Sequence, residues 1–270
     1  MKKRPKLFAK TFFLDAPNTS TDYSQFNYPE PLPNPLQINQ TQLTRHIAKL
    51  SPYKAHGPDG IPNIMIQKCM DLILDRLTLI FKTILEKGIY FDKWRGFTTV
   101  VLRKPSKPSY ETHKAYQPIA LISTMAKILT SIVVENLSQT VELHQLLPKT
   151  HFGGRPGRST TDAIHYLVHR ITTTWRENKV VSVLFLDVEG ALPNAVPAKV
   201  IHNLKKRHTP TSIINFIKLL LNNRKTRLKF DDCISKIIMV TNGIGQGDPL
   251  SMILYIIYNA DLLEIPNMVE

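Results

Sequence analysis

An α+β fold is what this sequence predicts, and three observations lead to it. Helical periodicities and β-rich runs are mixed along the chain without the regular strand–helix–strand alternation of a parallel sheet. The run Val180 to Leu186 is nearly continuously apolar and β-branched, the pattern of a buried central strand that Asp187 terminates. A chain of 270 residues with 43% apolar and 21% charged side chains has the composition of a globular protein with a real core.

The elements follow in order. Residues 1–40 are rich in Pro, Asn and Ser (Pro17 to Ser20, then Pro29, Pro31, Pro33 and Pro35) and read as an extended linker or arm, because proline removes a donor and blocks helix. Thr41 can cap a short helix through Leu50, and Gly57-Pro58-Asp59-Gly60 is a turn signal. From Ile66 to Leu85 apolar residues recur at three- and four-residue steps, the stripe of one long amphipathic helix that Gly88 can end. Phe97 to Leu102 is a β-rich run, and a helix pattern follows from Ser123 to Leu146. Ser159 is a good N-cap for a helix through Trp175. Pro197 can open a helix to Arg207, Thr211 to Leu221 continues with another, and Pro249 can open a last one towards Leu263. Thr226 to Phe230 and Lys236 to Val240 flank Asp231-Asp232 and suggest a hairpin.

Lysine and arginine exceed aspartate and glutamate by 14, a surplus that suits a polyanionic partner, since cationic faces gain by releasing counterions from phosphates. Nucleic acid is the first reading, and a solvated basic surface without a ligand is the other. Cys69 and Cys233 have no Cys or His neighbours at ligand spacing, so neither a disulfide framework nor a zinc site is indicated. The start of the chain, with Lys2, Lys3, Arg4 and Lys6, lacks a signal-peptide core. Met252 to Leu263 is shorter than the roughly 20 residues of a membrane span. An intracellular setting is expected.

Leu184-Phe185-Leu186-Asp187-Val188 is an apolar strand delivering a carboxylate at its end, which is how a two-metal phosphoryl-transfer site can begin. A strand-terminal aspartate also serves as a turn or cap residue. Several further motifs give this one its context. They are Ser51-Pro52-Tyr53-Lys54-Ala55-His56-Gly57-Pro58-Asp59-Gly60, Val101-Leu102-Arg103-Lys104-Pro105, Tyr116-Gln117-Pro118-Ile119-Ala120-Leu121, Phe152-Gly153-Gly154-Arg155-Pro156-Gly157-Arg158-Ser159, Phe185-Leu186-Asp187-Val188-Glu189-Gly190-Ala191 and Gly243-Ile244-Gly245-Gln246-Gly247-Asp248-Pro249. In order and spacing they resemble the reverse transcriptase domain of non-long-terminal-repeat retrotransposons, across roughly residues 45–263. Any single match is weak, whereas six in the family's order are specific.

The resemblance implies a right-hand polymerase, with a fingers-like region over 41–180 and a partial palm over 181–270. The activity it implies is RNA-directed DNA polymerisation on an RNA template, with a DNA primer and deoxynucleoside triphosphates as partners and Mg²⁺ as cofactor. By the same resemblance Asp187 and the backbone carbonyl of Val188 ligate the metal ions. Lys104 neutralises the triphosphate, and Gln246 and Gly247 line the nucleotide and template strand. Arg155, Arg158 and Ser159 contact template phosphates. Read without the family, Lys104 is a solvated base, Gly247 a helix-entry turn, and Arg155, Arg158 and Ser159 loop and cap residues.

The sequence departs from the family at several positions. Gln117 stands where an arginine usually meets the triphosphate, and Leu192 stands where an aromatic ring usually blocks the ribose 2′-hydroxyl. Pro193 replaces an acid, and Gly245 and Met252 stand where prolines are common. The aromatic-X-Asp-Asp hairpin expected after Gly247 is not found, since the acids there are Asp248, Asp261, Glu264 and Glu270. Phe230-Asp231-Asp232 precedes Gln246-Gly247 and reads as a turn. The expectation is therefore a fragment truncated before its second catalytic aspartate and without a thumb, inactive alone. The alternative is a non-catalytic nucleic-acid-binding remnant.

Overall fold

The structure is a computed structural model that describes residues 4–17, 22–33 and 37–264. Lys2, Lys3, Pro35, Glu270 and the other parts of the predicted arm and tail lie outside these residues. The α+β class is borne out: helices α1 (Arg4–Phe12), α2 (Gln40–Ala48), α3 (Asn63–Lys68) and α4 (Met70–Lys87) precede strands β1 (Gly96–Arg103) and β2 (Tyr116–Leu121). Then come α5 (Thr124–Leu143), α6 (Thr160–Arg176), α7 (Ala191–Asn194), α8 (Pro197–Lys206) and α9 (Thr211–Leu221). Strands β3 (Arg224–Phe230), β4 (Cys233–Ile234) and β5 (Ile238–Val240) and helix α10 (Leu250–Asn259) complete the order.

Two layers form, a bundle and a sheet. Apolar stripes of α2, α4, α5, α8, α9 and α10 share one core, with Leu43, Phe81, Ile128, Leu204, Ile217 and Leu254 all inaccessible to solvent. Polar side chains tie the bundle together. Arg45 pairs with Glu135 at 2.7 Å, joining α2 to α5, and the buried Asn203 amide donates to the carbonyls of Ile257 and Tyr258, joining α8 to α10. Asp261 gathers Lys199, Lys206 and Arg207 beyond the end of α10.

The sheet runs β2-β1-β3-β4, with β5 also paired to β3. β1 and β2 are antiparallel, with Leu102 opposite Gln117. β1 and β3 are parallel, with Thr98 beside Arg227. Because side chains alternate along a strand, Phe97, Thr99 and Val101 share a buried face with Tyr116, Ala120, Thr226, Leu228 and Phe230. Among the described residues no helix is long and apolar enough to cross a membrane.

The local signals largely hold. Ser159 caps α6 in a capping box with Asp162, Pro197 stands in the first turn of α8, Gly88 ends α4, and Asp231 sits in the tight turn between β3 and β4. The predicted helix over Ile66 to Leu85 is instead two helices, α3 and α4, divided at Cys69.

Two expectations are corrected. The start of the chain is not simply an extended arm, because α1 lies on the buried face of the sheet. Phe8, 2% exposed, meets the rings of Tyr116 and Phe230 edge-on at 4.8 and 5.0 Å, and aromatic burial of this kind outweighs the proline bias around it. Further on, Tyr28 shares a hydrogen bond with His202 at 3.0 Å and the Leu32 N–H donates to the His208 carbonyl at 2.8 Å, fastening this stretch to α8 and the turn after it. The second correction concerns Val180 to Leu186, which is neither a strand nor buried. Leu184, Phe185 and Leu186 are 79%, 81% and 82% exposed. An apolar β-branched run becomes a central strand only where neighbours satisfy its backbone and cover both its faces. Among the described residues no strand pairs with it.

Candidate functional site

Of the predicted site residues, Lys104, Gln117, Gln246 and Gly247 gather around β2. β1 delivers Lys104 one residue past its end. The Lys104 N–H donates to the Ala115 carbonyl at 2.8 Å, and the Tyr110 hydroxyl donates to the Lys104 carbonyl at 2.9 Å. The Tyr116 hydroxyl in turn donates to the Tyr110 carbonyl at 2.9 Å, so two tyrosines fix the loop that carries Lys104. By the alternation of the pleat, Lys104 lies on the same face as Leu102, which stands opposite Gln117. Gln117 is exposed.

The loop with Gln246 and Gly247 seals that edge. The Ala120 N–H donates to the Gln246 carbonyl at 2.7 Å, as an added strand would receive it. Gly247, at φ 116°, passes so close that a Cβ would stand 2.7 Å from the Ala120 carbonyl oxygen, so a side chain has neither the conformation nor the space it needs. The same loop holds α7. Ile244 and Gly243 donate to the carbonyls of Leu192 and Ala195 at 2.8 and 3.1 Å, and Leu192 packs its side chain against the helical core. The half-buried Leu192 and Gln246 are therefore parts of one bonded unit.

Asp187 reaches this unit through its neighbours. Glu189 pairs with Lys114 at 3.0 Å, linking the segment to the loop that carries Lys104, and the Asn194 amide donates to the Glu189 carbonyl at 3.0 Å. Water screens such an exposed pair, so it positions the segment more than it stabilises it. Asp187 itself is exposed and makes no hydrogen bond or ion pair among the described residues. No contact joins it directly to Lys104 or Gln246. The carboxylate of Asp187 and the carbonyl of Val188 are two ligand groups, where an octahedral Mg²⁺ takes six oxygens from carboxylates, waters and phosphates. Among the described residues no group of three or more His, Cys, Asp or Glu side chains is arranged to hold a metal ion. These residues alone do not complete a divalent-cation site.

Arg155, Arg158 and Ser159 stand apart from the Lys104 group. Arg155 is buried and bidentate to Glu142, with both distances 2.8 Å, and it also donates to the carbonyls of Pro148 and His151. Four of its five N–H groups are thereby committed inside the protein, which suits a brace for the loop better than a contact to phosphate. Arg158 donates to the Lys149 and His151 carbonyls and lies over the Phe152 ring. Ser159 exchanges hydrogen bonds with Asp162 as a helix cap. Their loop packs on α10, where Gly154 leaves no room for a Cβ beside Ile256 and Met252. The Gln246 loop leads into that same helix.

One feature escaped the sequence reading. Beneath the Gln246 loop, Arg224 is buried and donates to the carbonyls of Leu221, Asn242 and Gly243. Burial pulls its guanidinium down to about 10, against the pull of the nearby Asp248 carboxylate. Asp248 accepts from the Leu250 N–H at 2.8 Å. Its carboxyl is pushed up to about 6 by burial, with the Leu250 N–H, Arg224 and Lys127 acting the other way. Asp248, Arg224 and Tyr90 line a small cavity of about 40 Å³, room for about one water. Part of the Asp248 surface is open, so burial in this site is incomplete. The available signal was Arg224 falling on the buried register of β3, where an arginine needs acceptors.

Known proteins match this sequence. Residues 102–267 match the family described as reverse transcriptase (RNA-dependent DNA polymerase). The chain is 28% identical over 226 residues, 83% of its length and 24% of the relative's, to the RNA-directed DNA polymerase from mobile element jockey of Drosophila funebris. It is 25% identical over 225 residues, 83% of its length and 25% of the relative's, to the probable RNA-directed DNA polymerase from transposon BS of Drosophila melanogaster. To the probable RNA-directed DNA polymerase from transposon X-element of the same fly it is 27% identical over 222 residues, 82% of its length and 24% of the relative's. The chain spans about a quarter of the length of these curated relatives.

Proposed function

The chain belongs to the reverse transcriptase family, as the domain carried by non-long-terminal-repeat retrotransposons, and from that premise we propose that it supplies the fingers and the first part of the palm of an RNA-directed DNA polymerase. The observation that carries this assignment is the joining of the Gln246-Gly247 loop to the edge of β2, on the strand that holds Gln117 and beside the loop that holds Lys104. In this reading Lys104 meets the triphosphate of the incoming nucleotide, with the uncharged Gln117 as a weaker partner. Leu192 borders the sugar, and Gln246 and Gly247 border the base pair being formed. Asp187 and the Val188 carbonyl are this segment's share of the oxygen ligands for Mg²⁺. The partners are an RNA template and a DNA primer, and an intracellular setting goes with them.

A second reading, a nucleic-acid-binding domain without catalysis, is favoured by one observation: among the described residues no group of three or more His, Cys, Asp or Glu side chains, at Asp187 or elsewhere, could hold a metal ion. Primer extension on an RNA template in Mg²⁺, with Asp187→Ala and Lys104→Ala alongside, separates the two. Extension abolished by Asp187→Ala, with nucleotide binding weakened by Lys104→Ala, supports the polymerase. RNA binding without extension, indifferent to both substitutions, supports the second reading.

A further inference from the structure

The sheet has a second face, opposite the one that α1 covers, and it carries a row of cations. On β3 the side chains alternate so that Arg224, Thr226, Leu228 and Phe230 are buried while Lys225, Arg227 and Lys229 are exposed. These three stand in line on one rigid strand, roughly 6.6 Å apart at two residues of strand rise. Their cross-strand neighbours are Gly96, Thr98 and Val100 on β1, Met239 on β5 and Ile234 on β4. All of these are uncharged. None of the three cations forms an ion pair among the described residues, and the nearest acid in sequence, Asp231, is held by Arg103 at 2.9 Å. By register the same face continues across β1 to Leu102 and Lys104 and onto Gln117 of β2.

We infer that this open face is a binding track for the phosphodiester backbone of a single-stranded nucleic acid, gripped by Lys225, Arg227 and Lys229 and leading towards Lys104. The inference rests on the polymerase reading only for the choice of nucleic acid over another polyanion; the track itself follows from the pleat and the charges. Three like charges side by side repel one another and are left without acids, an arrangement that gains most when consecutive phosphates replace their counterions. Within the named neighbours, all small or aliphatic, no aromatic ring offers a stacking platform, so the track grips backbone and reads no sequence. A straight row of cations on one strand suits one extended strand better than a duplex, whose phosphates curve away from it.

The test is fluorescence anisotropy of a labelled 20-nucleotide single-stranded RNA across a salt series. It compares the native chain, Lys225→Ala/Arg227→Ala/Lys229→Ala, Lys225→Arg/Arg227→Lys/Lys229→Arg, and Lys82→Ala/Lys87→Ala on the exposed side of α4 as control. At about 0.7 per phosphate for single strands, losing three contacts lowers the slope of log K against log salt by about 2, equally for oligonucleotides of different sequence. The charge-conserving triple and the α4 control keep the native slope, and matching thermal melts exclude unfolding as the cause. An unchanged slope in the alanine triple overturns the inference. If Lys104→Ala still weakens nucleotide binding in that case, the polymerase reading survives it. Tighter binding of a 20-base-pair duplex overturns the single-strand assignment. Equal binding of polyglutamate, lost in the same triple, overturns nucleic acid as the occupant.

Discussion

Asp248→Asn tests the electrostatics under the Gln246 loop. The Asp248 carboxyl sits at about 6, raised from 3.8 chiefly by burial, so the folded chain holds a proton that the unfolded chain has already released between about pH 4 and 6. Stability from this group therefore declines as pH rises through that window, and the full cost of a charged carboxylate is present above it. At about 1.4 kcal/mol per pH unit the gap sets a ceiling of about 3 kcal/mol. The water-sized cavity beside Asp248, Arg224 and Tyr90 lowers the realised figure, because a water there solvates the charge. Asparagine keeps an oxygen for the Leu250 N–H and never ionises. It should accordingly gain on the native protein by about 1–3 kcal/mol between pH 4 and pH 7. Urea denaturation of both proteins at half-unit pH intervals reads the difference directly. The groups facing Asp248 are Arg224, at about 10, Lys127, lowered by burial, and Tyr90, pushed up by burial. A difference flat across pH 4–7 would refute the argument. An asparagine variant that loses ground as pH rises would also refute it, showing that attraction to Arg224 outweighs burial.

Two further predictions separate scaffold from site. Arg155→Ala removes one partner of a part-buried bidentate pair and should lower stability by about 3 kcal/mol while leaving the salt dependence of RNA binding unchanged; a normal melt with weakened RNA binding would return Arg155 to the template. Gly247→Ala forces a Cβ into the Ala120 carbonyl at a φ of 116° and should cost about 2 kcal/mol or more, read by denaturation; native stability would mean that the loop is free to move off β2.

Much of the local structure around the candidate site could be read before the fold because its motifs are local. Ser159 finds its partner three residues away in Asp162, Pro249 precedes its helix, and the Asp231 turn joins adjacent strands. Capping and turn chemistry depend on groups a few residues apart, so sequence order carries them. The same holds for the Lys104, Gln117 and Gln246 motifs, whose spacing marks the family. Arg155 shows the limit of such reading: a motif fixes which residue is present, while its environment fixes what the side chain does.

The sequence by itself determined the α+β class, most helix ends, the hairpin and membership of the polymerase family. Only the tertiary structure decided that β1 lies parallel to β3 across more than a hundred residues, that Phe8 binds the start of the chain to the sheet, and that Val180 to Leu186 stays exposed. It also decided which cations face water and which, like Arg224, face carbonyls. The division has one physical cause. Helix caps and turns are satisfied by near neighbours, whereas burial, desolvation and strand pairing depend on groups that folding brings from far along the chain.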